Sequence, residues 1–143
     1  MSPQMKLVAI TLDCPDPPAL AAFYQQATGF APHPGSGADF AGTDREDGLF
    51  LGFQRVDGYR APHWPDQTVP QQMHLCFDVE DLDEAETRLL RLGAAKPTHQ
   101  PHDPTRARVL TDPAGHPFCI CQGSGTAPAP PRDTLLQAGA CNC

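Results

Sequence analysis

Val8-Ala9-Ile10-Thr11-Leu12-Asp13-Cys14-Pro15-Asp16 runs into an apolar-striped segment from Pro17 to Gly29, and the chain later says nearly the same thing again. The second version is Met73-His74-Leu75-Cys76-Phe77-Asp78-Val79-Glu80-Asp81, followed by Leu82 to Gly93. In the first copy Val8, Ile10, Leu12 and Cys14 alternate with Ala9, Thr11 and Asp13; a period of two means a strand with two different environments. Asp16 and Asp81 hold the same place in their copies, where a carboxylate caps a following helix. Pro17 and Pro18 suit a first helical turn, whose N–H groups lack intrahelical acceptors. Leu20, Phe23, Tyr24 and Ala27 form one apolar stripe; Leu82, Ala85, Leu89 and Leu92 form the other. Gly29 and Gly93 end the two helices. A domain made of two similar βα modules is expected to work where the modules meet.

The rest of the chain fits around these copies. Glycine and proline punctuate residues 30–43, which read as short strands near 30–33 and 39–43. Residues 49–56 read as a strand, with Leu49, Leu51 and Phe53 on one side and Phe50, Gly52 and Gln54 on the other. Residues 57–70 hold three prolines with Tyr59, His63 and Trp64, too long for a tight turn, and form the inter-module linker. After the second helix, strands are expected near 96–98, 107–111 and 117–122, with a turn at Asp112-Pro113-Ala114-Gly115. The order is βαβββ, linker, βαβββ, then a Pro/Ala-rich tail over 123–143 that ends Cys141-Asn142-Cys143. One helical turn around Leu135 and Leu136 is expected in that tail.

At 143 residues the chain suffices for one domain with a real core. Ten basic against 17 acidic residues give a formal charge of −7, which argues against a nucleic-acid partner. No apolar run reaches membrane-spanning length, and Met1-Ser2-Pro3-Gln4-Met5-Lys6 shows no signal region, so a cytoplasmic location is expected. The six cysteines show no paired C-x-x-C zinc pattern, and most of Cys14, Cys76, Cys119 and Cys121 are expected as core-like thiols of a reducing compartment.

The order of elements resembles the vicinal oxygen chelate superfamily, the glyoxalase, bleomycin-resistance and dioxygenase fold, over residues 5–122. The residues that carry the resemblance are Leu12-Asp13-Cys14-Pro15-Asp16, Phe23-Tyr24, Gly29-Phe30 and Phe53-Gln54-Arg55-Val56 in module one, 5–56. In module two, 71–122, they are His74-Leu75-Cys76-Phe77-Asp78-Val79, Asp81-Leu82-Asp83 and Asp112-Pro113-Ala114-Gly115-His116-Pro117-Phe118-Cys119. The match is to the glyoxalase-like branch. It implies an α+β fold in which two modules curl mixed sheets into a cup, with helices outside and a homodimer completing the cup.

The resemblance also implies a divalent metal held by His, Gln or Glu from the first and last strand of each module. Such a site needs donors converging at about 2.0–2.2 Å. Carried over by position, these places fall on Ala9, Gly52, His74 and Cys119 (Leu51 if the first module slips by one). Ala9 and Gly52 offer no donor. The expectation is therefore no metal cofactor. The alternative is a divalent metal on a nonstandard site with His74 and Cys119, joined by Cys76 or Cys121, a donor set that suits zinc or copper.

Without a metal the cup still reads as a small-molecule pocket. Its expected ligand-binding residues are Thr11, Phe50, Gln54, Trp64, His74, Cys76, Cys119 and Cys121, with Ala9, Gly52 and Asp78 on the same faces. His74 is the acid/base candidate, because imidazole titrates near neutrality. Asp78 shares its face but lies about 7 Å along the strand. Trp64 in the linker either covers the cup mouth or pins the loop. Arg55 reads as a solvated strand-end arginine, and His99, His102 and His116 as surface loop residues. The functional expectation is a small-molecule-binding protein of the resistance or sequestration kind. The alternatives are a lyase, isomerase or dioxygenase using His74, and a redox or soft-metal module using Cys141 and Cys143.

Overall fold

The computed structural model describes residues 4–122. The chain divides into two compact units between Ala61 and Pro62. The expected turn around Leu135 and the cysteine pair of the tail lie outside the described residues. Among the described residues no helix is long and apolar enough to cross a membrane.

In the first unit β1 (Ala9–Cys14) leads through Asp16 into α1 (Pro17–Thr28). The Asp16 carboxylate accepts from the Ala19 N–H at 3.2 Å, and Gly29 closes the helix at φ +78°, where a side chain would be strained. Three strands follow: β2 (Ala31–Pro32), β3 (Phe40–Asp44) and β4 (Phe50–Arg55). The sheet order is β1-β4-β3-β2, with β1 parallel to β4 and the other pairs antiparallel. α1 closes one face of this sheet. Leu20, Phe23 and Tyr24 are buried, and the Tyr24 ring stacks on Phe53 at 5.3 Å.

The second unit repeats the plan. β5 (Leu75–Val79) passes through Asp81, which accepts from the Glu84 N–H at 2.9 Å, into α2 (Leu82–Leu92). β6 (Ala107–Thr111) and β7 (Pro117–Gln122) complete a sheet of order β5-β7-β6, again with first and last strands parallel. The buried Leu82 and Leu89 lie on α2, and Leu110, Phe118 and Ile120 fill the sheet side. Arg108 ties α2 to β6 through Asp83 at 2.8 Å and Glu86 at 3.1 Å. The Asp112 turn forms as expected: its buried carboxylate accepts from the Ala114 and His116 N–H groups at 2.9 and 3.0 Å.

One expected strand is absent from its place. Residues 96–98 form no strand; the edge of β6 meets only a single bridge, Ala95 to Thr111. The reason is a side chain that imitates a strand. The Gln100 amide donates to the Val109 carbonyl at 2.8 Å and accepts from the Val109 N–H at 2.9 Å. Those are the groups that a neighbouring backbone would have used, and Pro97 has no N–H to offer.

In the first unit, Gly52 has a packing reason to be glycine. A Cβ there would stand 2.6 Å from the Phe50 ring, 2.9 Å from Phe40 and 3.2 Å from the Thr11 hydroxyl. Gly52→Ala is expected to destabilise the protein by about 1–3 kcal/mol through overpacking. The cost should shrink in a Phe50→Ala background, because the obstructing ring is gone. Urea unfolding of the four variants of this cycle measures both effects.

Candidate functional site

Each unit has a helix on one face of its sheet, so the strand positions of the opposite face are the candidates for chemistry. In the first unit, register places Ala9 beside Phe50, Thr11 beside Gly52 and Asp13 beside Gln54. This face is furnished with rings. Phe50 lies 4.6 Å from His33 and 5.7 Å from Phe40, and it occupies the space over Gly52. His33 is held in turn by Asp44 at 3.1 Å. Thr11 and Gln54 are exposed, with Gln54 near the strand end. Arg55 pairs with Asp39 at 3.3 Å and Asp57 at 3.2 Å, as a solvated strand-end arginine does.

In the second unit the corresponding face carries donors. Cys76 pairs in register with Cys119, and Asp78 with Cys121. His74 stands two residues before Cys76, just ahead of β5, and so keeps the same side. The donor atoms of His74, Cys76 and Cys119 lie within 4.8 Å of one another. Asp78 is exposed and sits opposite Cys121, not beside His74.

The cysteines correct the sequence reading in two ways. Cys119 and Cys121 are buried but disulfide-bonded, so they are not core thiols. Their bonds are not to Cys14 or Cys76, neither of which is in a disulfide. Cys76 is exposed, not core-like, although the partial burial of its thiol pushes its pKa up and favours the protonated form.

A cavity of about 210 Å³ opens beside this cluster, lined by Trp64, Gln71, His74, His102, Phe118 and Cys119 among others. Two of these residues present buried polar atoms with no hydrogen-bond partner: Gln71 Oε1 and His102 Nε2. A buried polar atom left unpaired costs about 1–3 kcal/mol, which a ligand group able to pair with it would recover. His102 was expected at the surface; it is half-buried and faces the cavity. Gln71 carried no signal at all, since it lies outside any periodic segment. His102 lies two residues after Gln100, whose side chain is anchored on β6.

Trp64 forms a wall of this cavity and also of a shallower one of about 360 Å³, shared with His63, Asp66 and Lys96. Its indole rests 5.1 Å from the exposed His99. The loop that carries Trp64 is internally ordered. The His63 N–H donates to the Val69 carbonyl at 2.7 Å, and Asp66 accepts from both the N–H and hydroxyl of Thr68 at 2.6 Å. Those two bonds hold the Asp66 carboxyl below its usual pKa.

Two βα-led sheets, each with its first and last strands parallel neighbours, define an α+β architecture of two similar modules. The chain belongs to the family described as the glyoxalase-like domain, whose match spans residues 9–121. Solved structures of the same fold include a glyoxalase/bleomycin resistance/dioxygenase family enzyme from Burkholderia phytofirmans. It is 22% identical with a TM-score of 0.64, covering 82% of this chain and 98% of that one. A fosfomycin resistance protein from Listeria monocytogenes, solved with manganese(II) and a dihydroxypropylphosphonic acid, is 21% identical with a TM-score of 0.62, covering 83% and 90%. The bleomycin-binding protein of Streptomyces verticillus, solved with copper(II)-bleomycin, is 23% identical with a TM-score of 0.53, covering 85% and 99%. No curated protein matches the chain. These likenesses concern the fold.

The four positions at which the resemblance would put a metal do not fit the family's oxygen-and-nitrogen donor set. Ala9 has no donor, Gly52 lies under the Phe50 ring, and Cys119 is tied in a disulfide. His74 is left as the single usual ligand.

Gln100→Ala is expected to cost about 1–3 kcal/mol, since it strips both hydrogen bonds from Val109. The same change should speed amide hydrogen exchange at Val109 and Thr111 relative to β7. Equal protection in the variant would show that the clamp does not secure this edge.

Proposed function

We propose that the chain is a small-molecule-binding protein of its family that holds its ligand in the second-module cavity without the family's divalent metal. The observation that carries this reading is the pair of unpartnered buried atoms, Gln71 Oε1 and His102 Nε2, on the walls of one cavity with His74 and Trp64. Such an arrangement favours a small ligand with an aromatic or flat face and hydrogen-bond donors at its edge. The role that suits it is sequestration, and one protein of the same fold is named for binding bleomycin. Module one (5–56), linker (57–70), module two (71–122) and tail (123–143) are the proposed organisation, in a cytoplasmic homodimer.

An enzymatic reading draws on the same site. His74 offers the acid/base group, and its place on the cavity wall is what favours that reading.

Catechol, flat and with two adjacent hydroxyl donors, is a suitable probe. Calorimetric titration of the reduced protein should give saturable binding. Gln71→Ala and His102→Ala should each weaken it about tenfold, which corresponds to one lost hydrogen bond of about 1.4 kcal/mol. Undiminished affinity in both variants would remove the cavity from the account.

A further inference from the structure

The donor cluster of the second unit has a property separate from the binding of organic ligands. His74, Cys76 and Cys119 bring one imidazole and two sulfurs to one face, with all donor atoms within 4.8 Å of each other. A tetrahedral centre with metal–sulfur bonds near 2.3 Å and metal–nitrogen bonds near 2.0 Å needs donor separations of about 3.5–3.8 Å. Side-chain rotation of about 1 Å closes that gap on the cysteine and histidine ends, while the register of β5 against β7 holds the two Cα positions. The set is soft: two thiolates and an imidazole select zinc, cadmium or copper(I) over magnesium or manganese. It also differs from the family's site, because all three donors come from one module and Cys76 is at none of the carried-over positions.

Cys119 is disulfide-bonded and Cys76 is a free thiol. The oxidised protein therefore offers only His74 and Cys76. We propose that reduction of the Cys119 disulfide completes a thiophilic-cation site from His74, Cys76 and Cys119, making metal binding conditional on the thiol redox state. The reductant is a thiol or dithiol. Two thiol groups of the reductant become one disulfide, the Cys119 sulfur–sulfur bond breaks, and both released sulfurs take up protons. On metal binding Cys76 and Cys119 each give a proton to solvent and a bond to the cation. Three protein donors leave a further position, and Cys119 and His74 both border the cavity that Trp64, Gln71 and His102 line.

The test is titration of the full chain with cadmium(II) alone, after complete reduction and removal of reductant under inert gas, and again after oxidation with diamide. Peptide mapping confirms each redox state. The expected result is one equivalent bound by the reduced protein, with ultraviolet thiolate-to-cadmium charge-transfer absorption, and about a hundredfold weaker binding after oxidation. His74→Ala and Cys76→Ser should each weaken binding by a similar factor. Both positions lie outside the fully buried core, so these variants report even if Cys119→Ser fails to fold. The double variant Cys141→Ser/Cys143→Ser should bind as the parent does when reduced. Equal affinity in the two redox states overturns the proposal. So does binding that survives in His74→Ala and Cys76→Ser, or that disappears with the Cys141/Cys143 pair. Catechol affinity in Gln71→Ala and His102→Ala, which leave the three metal donors in place, reads the organic ligand separately, so either reading can fail alone.

Discussion

The parallel pairing of first and last strands governs both units. β1 lies parallel to β4, and β5 parallel to β7. Parallel neighbours cannot be joined by a tight turn, so the chain must cross over, and here a helix makes the first part of each crossing. That helix buries one face of its sheet. The opposite face remains for chemistry, and register decides which residues meet there. Cys76 stands beside Cys119 because the β5–β7 register puts them together, although they are far apart in the sequence.

The two units share this constraint and use the open face differently. In the first, glycines at 42 and 52 make room for the Phe50 ring, which packs with Phe40 and His33. An aromatic layer results, with no donor at the positions where relatives of this architecture are expected to hold a metal. In the second, the same face carries His74 and sulfur. The irregular segment before β6 then adds His102, and the segment before β5 adds Gln71. Packing fills one open face, and unsatisfied polar groups characterise the other.

Much of the architecture was legible in the sequence because it is local. The Asp16 and Asp81 caps, the glycine stops and the strand alternation each depend on a few neighbouring residues. The expected strand at 96–98 was not legible, because Gln100 replaces a backbone partner with a side chain, a substitution that leaves no periodic trace. His74 and Trp64 could be named as candidates from strand position and loop content. His102 and Gln71 could not, since non-periodic segments give no indication of which residues turn inward. Cys119 and Cys121 were misread as thiols because the alternation of a strand carries no sign of a sulfur's bonding state.

The central claim is that the second unit alone carries the working site. Two-dimensional amide correlation spectra of the labelled protein, recorded with and without saturating catechol, test it most directly. The account predicts shifts confined to residues 62–122, largest at the Trp64 indole, the Gln71 side-chain amide and the backbones of His74 and His102. Shifts centred on Thr11, Phe50 and Gln54 would contradict it.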